Sequence, residues 1–62
     1  MTRKDYVRIA AALKEARASA DAAGAAQTQG VVIATILLAD ALAAENGRFD
    51  RGRFYVAAGM TA

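Results

Sequence analysis

The 62 residues contain no cysteine and no histidine. Disulfide staples are therefore excluded, and with them thiolate and imidazole metal sites. Nucleophilic and acid–base catalysis lose their commonest agents, and no paired carboxylates stand in for them. Gly-rich phosphate-binding loops of either common type are missing too. The expectation is a protein that is not an enzyme and holds no cofactor. A chain this short buries only about 60% of its unfolded surface and is marginal alone. With no staple, oligomerisation is the remaining usual route to stability.

Charge of either sign is not in large excess. Eight basic and six acidic residues leave a net charge of +2 and a pI near 9.5, short of the basic density of a dedicated nucleic-acid binder. No signal-peptide apolar region follows Arg3, Lys4 and Arg8, so a cytoplasmic location is expected. The hydrophobic content of 56% overstates the core, because alanine supplies much of it and little area.

What bulk there is gathers at 31–45. Five β-branched residues open the stretch, but Leu38 to Glu45 holds only helix formers and tolerable residues, with no breaker. The segment is also long for a strand, and it reads as a helix. On a helical wheel Val32, Ile36, Ala39 and Ala43 share one face, with Ile33, Leu37 and Ala44 beside them. Val31, Leu38 and Leu42 fall partly on another side. A helix apolar almost all round is buried by several neighbours or lies in a membrane. A spanning helix needs about 20 apolar residues, whereas Asp40 interrupts the run from Val31 after nine. Enclosure by protein is the expectation, with no membrane.

Residues 2–23 read as an amphipathic helix. Thr2 is the candidate N-cap, Asp5 takes the acid position of a capping box, and Met1 and Tyr6 hold the staple positions around it. Tyr6, Ile9, Ala10, Leu13, Ala16 and Ala20 form the apolar face. Arg17 and Asp21 are placed to pair one turn apart. Gly24 is a natural stop; the spacing predicts a loop at about 24–28 and a second helix over about 29–45, an uninterrupted helix through Gly24 being the alternative. That helix should end in a left-handed cap at Asn46-Gly47. Beyond it, Asp50 as N-cap puts Phe49 and Phe54 at the two positions of a hydrophobic staple. The staple clamps a short third helix over about 51–58, closed by Gly59, with residues 60–62 frayed. The architecture expected is one all-α domain, a small bundle of two longer helices and one short C-terminal helix, as a dimer.

Two groups of residues carry the functional reading. Asp40, the single acid inside the apolar helix, has no carboxylate one turn away and makes a poor site for hard cations. An arginine partner from 48–53, or exposure on a narrow polar side with Thr35, accounts for it. Arg48, Arg51 and Arg53 cluster at a turn and helix start, where guanidinium groups could meet an anion or an acidic partner. The turn between the last two helices suggests a helix-turn-helix, but the third helix offers no Asn, Gln or Lys to read base edges. Val31, Ile36, Leu38, Leu42 and Phe54 are the expected interface, since one copy has too little bulk to cover helix 31–45.

The layout resembles a group of small, mostly uncharacterised helical proteins of bacteriophages and prophages. The likeness rests on Arg3-Lys4-Asp5-Tyr6-Val7-Arg8-Ile9-Ala10, which follows an opening K-D-Y-x-x-I-A. It continues through Leu38-Ala39-Asp40-Ala41-Leu42-Ala43 to Asn46-Gly47-Arg48-Phe49-Asp50-Arg51-Gly52-Arg53-Phe54, which follows a closing N-x-R-F-D-x-x-R-F. About half of the chain is covered. The sequence departs at Gly47, where the pattern has Pro, and at Gly52, where a longer side chain is usual; residues 16–30 carry no likeness. The resemblance implies an origin on a mobile genetic element. By analogy with small phage proteins, it also implies a non-enzymatic accessory role through contacts with a host protein. A small nucleic-acid-binding protein using the three arginines is the alternative.

Overall fold

A computed structural model describes residues 2–60. Three α-helices follow one another: α1 (Arg3–Ala23), α2 (Ala25–Glu45) and α3 (Arg51–Ala57). The chain is an all-α bundle of two longer helices and one short C-terminal helix, each packed on the other two.

α1 and α2 form an antiparallel hairpin tied at both ends. At the turn, the Thr28 hydroxyl donates to Asp21 Oδ1 at 2.6 Å, and Arg17 Nε stands 3.5 Å from the same oxygen as a charge contact. At the far end, the Asn46 side-chain amide donates to the Tyr6 hydroxyl at 3.2 Å. Asp5 accepts from the Thr2 backbone N–H and hydroxyl at 2.9 and 3.2 Å, starting α1 as its spacing predicts. Met1 of the expected staple lies outside the described residues.

The loop expected at 24–28 shrinks to one residue. Gly24 makes the reversal alone at φ 137°, ψ 169°, a conformation essentially confined to glycine. Ala25, Ala26 and Gln27 then join α2 as the helix formers they are, so α2 starts at Ala25 and not near 29. With that loop gone the uncharged run lengthens to Ala25–Ala39 and still ends at Asp40. α2 is long and apolar enough to cross a bilayer, with a mean hydropathy of 1.4.

The other corrections concern α2 and its end. Asn46 is extended (φ −136°, ψ 105°) and Gly47 is not left-handed. The Asn46 side chain makes the turn instead, accepting from the Arg48 N–H at 3.0 Å, while its backbone carbonyl accepts from Phe49 N–H. Thr35, expected on a polar side, is buried against the neighbouring helices, its hydroxyl satisfied by the Val31 carbonyl at 2.8 Å. Ala16 is exposed and Ala20 takes the buried position near the turn.

α3 follows its sequence signals closely. Asp50 Oδ1 accepts from the Arg53 N–H at 3.1 Å, and the Phe49 and Phe54 rings stand 5.3 Å apart as a staple. Its end is a Schellman motif: Gly59 at φ 79°, with Gly59 N–H to the Val56 carbonyl and Met60 N–H to that of Tyr55. Met60 is thus held, while residues 61–62 lie outside the described ones. The core is thin. Ala10, Ala39, Leu42, Phe54 and Ala58 form it, with Tyr6, Ile9, Leu13, Leu38, Phe49 and Tyr55 packed around them.

Candidate functional site

The feature that gathers chemistry is an open groove of about 440 Å³ at the end of the bundle away from Gly24. Its apolar lining comes from three places: Tyr6, Val7 and Ala10 on α1, Phe49 in the turn, and Phe54 and Ala57 on α3. Arg3, Arg48 and Arg53 rim it, with Asn46 and Asp50.

The floor is built from contacts between aromatic rings. All four aromatic side chains of the chain stand in one file. Tyr6 meets Phe49 edge-on at 5.0 Å, Phe49 meets Phe54 at 5.3 Å, and Phe54 meets Tyr55 at 6.5 Å. Such edge contacts each add about 0.5–1.5 kcal/mol beyond the area they bury. Asn46 locks the file from below through its bond to Tyr6 and its turn at Arg48. Val7 stays 58% exposed beside this floor and offers a ligand an aliphatic contact.

Against this geometry the expected arginine cluster divides. Arg48 and Arg53 reach the groove, and Arg3 joins them from α1. Arg51 turns away and binds Asp40 on α2, which gives that acid its partner. Arg53 is held loosely by Asp50 at 3.7 Å, both largely exposed. Among the described residues, Arg3 and Arg48 have no carboxylate within ion-pair distance. The segments Arg3-to-Ala10 and Asn46-to-Phe54, far apart in sequence, both contribute to this groove.

The expected interface residues separate in the same way. Leu42 and Phe54 lie in the chain's own core, Phe54 with one edge in the lining of the groove; Val31 and Leu38 are half-buried. Only Ile36 of that set is exposed. Ile33 and Leu37, beside it on the outer face of α2, are exposed as well. One copy therefore covers α2 on a single side, whereas the sequence suggested enclosure.

No family model, curated protein or solved structure matches this chain.

The site's chemistry has to be read from its residues. Its rim presents guanidinium forks that pair with carboxylates in bidentate fashion. The floor accepts one or two apolar side chains. Among the described residues, no three acids come close enough to hold a metal ion.

Proposed function

We propose that this chain is a non-enzymatic accessory protein, of the kind bacteriophages and prophages encode, that binds a host protein in the cytoplasm through the arginine-rimmed groove. The observation that carries the reading is the juxtaposition of Arg3 and Arg48 with the Tyr6–Phe49–Phe54 file. Arginine and aromatic side chains together dominate the energetics of protein interfaces. Here they surround a groove of a size that holds a few side chains. The ligand such a groove suits is an acidic segment carrying an apolar anchor.

The competing reading, a nucleic-acid contact by Arg48, Arg51 and Arg53, is disfavoured on three grounds. Arg51 is committed to Asp40, and Asp50 brings a carboxylate to the rim. A helix of seven residues also presents little to a major groove.

Fluorescence anisotropy separates the two. The probes are an acidic peptide with a central leucine, the same peptide with its acids changed to lysine, and duplex and single-stranded oligonucleotides. Preference for the acidic peptide, abolished by Arg48→Glu and weakened by Val7→Asp, supports protein binding. Oligonucleotide binding that falls steeply with salt and ignores Val7→Asp overturns it.

A further inference from the structure

We infer that Asp50 makes the groove selective for a segment with a single carboxylate beside its apolar anchor, and against densely acidic segments, by keeping Arg53 occupied in the free protein. The inference rests on the groove being the binding site proposed above.

The rim carries three guanidinium groups and one carboxylate: Arg3, Arg48, Arg53 and Asp50. The three cations are not equivalent. Among the described residues, Arg3 and Arg48 have no carboxylate within ion-pair distance, while Arg53 Nε lies 3.7 Å from Asp50 Oδ2. A carboxylate on an unrestrained surface side chain would spend much of its time elsewhere. Asp50 is restrained, because its other oxygen, Oδ1, accepts the Arg53 backbone N–H at 3.1 Å as the cap of α3. Swinging away from the guanidinium would uncover that N–H as well. The same offset of three residues that makes Asp50 a cap therefore fixes a negative charge on the rim, beside the Arg53 side chain.

The consequence falls on the ligand. Its first carboxylate meets Arg3 and Arg48, whose forks are open, while its anchor lies on Val7, Phe49 and Phe54. A further carboxylate has to take Arg53 from Asp50. An exposed pair resists displacement only weakly, by a factor of about five or less in affinity. The cap, however, keeps the displaced Asp50 on the rim, where it repels the newcomer. Extra acids on the ligand thus gain little.

The other acids at this end of the bundle take no part. Asp40 is bound to Arg51, Asp5 accepts from the Thr2 N–H and hydroxyl, and neither they nor Glu45 line the groove.

Fluorescence anisotropy with two leucine-anchored peptides tests the inference, one carrying a single glutamate beside the leucine and the other four. The wild-type chain is compared with Asp50→Asn, which removes the charge and keeps a side-chain oxygen that caps a helix equally well. Circular dichroism confirms that the helix content is unchanged. The wild-type chain should bind the two peptides within about twofold of each other. Asp50→Asn should bind the four-glutamate peptide about fivefold tighter than the wild type does, the step for freeing one exposed guanidinium. Its affinity for the single-glutamate peptide should move by less than about twofold. Adding Arg53→Gln should return the four-glutamate peptide to its wild-type affinity, which assigns the gain to Arg53. Asp40→Asn makes the same change of charge outside the groove and should leave both affinities unchanged. A wild-type preference for the four-glutamate peptide of about fivefold or more overturns the inference, as does an Asp50→Asn variant that tightens both peptides equally or neither. Those outcomes leave the groove itself standing. If wild type and Asp50→Asn are both folded and bind neither peptide, the groove reading falls and this inference with it.

Discussion

The Tyr6 hydroxyl accepts a hydrogen bond from the side-chain amide of Asn46 across 40 residues of sequence. Asn46 simultaneously turns the chain at Arg48 and, through Phe49, feeds the aromatic file. Tyr6→Phe removes one bond of this set and should cost about 0.5–1.5 kcal/mol. Asn46→Ala removes the turn as well and should cost more. Urea unfolding of the two variants checks the order, and equal losses would mean that the turn contributes nothing.

Leu42 and Phe54 are the largest apolar side chains in the core, whose other members are alanines. Leu42→Ala should cost about 2–5 kcal/mol and Phe54→Ala about 3–5 kcal/mol, enough to abolish cooperative melting in a domain this small. Thr35→Val, by contrast, keeps the shape and removes only a hydroxyl bonded back to the Val31 carbonyl. Its melting temperature should stay close to wild type or rise, because that carbonyl keeps its helical partner.

Gly24→Ala forces a side chain into a conformation that costs about 1–3 kcal/mol, with the new Cβ 3.2 Å from Gln27 Oε1. The chain has an escape. Ala22, Ala23, Ala25 and Ala26 all favour helix, so α1 can run straight into α2 and the hairpin can close between two chains instead of within one. The expected product is a domain-swapped dimer. Solution scattering would report it as a particle far longer than the 34 Å of the native chain.

The Asp5 carboxyl is held below the ordinary aspartate range, first by the Thr2 backbone N–H and then by the Thr2 hydroxyl. A lowered folded value means stabilisation that is present above the ordinary range and lost as pH falls through the folded value. Carbon-detected NMR titration should show Asp5 titrating below Asp in an unstructured peptide, and its removal by Asp5→Ala should flatten the acid limb of the melting profile. A titration at the ordinary value would remove the basis of the prediction.

Asp50 and Asp40 make an instructive contrast. Asp50→Ala deletes an N-cap bond to the Arg53 N–H and should cost about 0.5–2 kcal/mol. Asp40→Asn weakens an exposed pair with Arg51 and should change stability by no more than about 1 kcal/mol. Thermal melts in low salt would show the difference.

The elements governed by local chemistry were legible in the sequence: the start of α1 at Thr2 and Asp5, the cap and staple of α3, the stop at Gly59, and an arginine for Asp40. What escaped depended on partners remote in sequence. On α2 nearly every direction is apolar, so the wheel alone could not say which face turns inward. The inward face is that of Thr35, Ala39 and Leu42, where the small Thr35 and Ala39 let the neighbouring helices approach and Leu42 fills the core, and Ile33 and Leu37 are left outside. The length of the first turn escaped for a related reason. Gly24 alone can reverse the chain, and the small residues around it give no pattern to distinguish helix from loop. The groove was half visible. Arg48, Arg53 and the two phenylalanines marked it, but nothing local joined Arg3, Tyr6 and Val7 to them.

The placement of all four aromatic side chains at the end away from Gly24 has a kinetic consequence. In most helical hairpins the contacts nearest the turn form first, because the loop they close is short. Here those contacts are alanine packing and the exposed Thr28–Asp21–Arg17 set, and the aromatic ones join Tyr6 to Asn46 and Phe49, which are far from it along the chain. Closing so long a loop slows the search. Folding should therefore be limited by the meeting of the chain's two ends, and amide exchange in the native state should be fastest beside Gly24 and slowest where the aromatic file holds α1 to the rest.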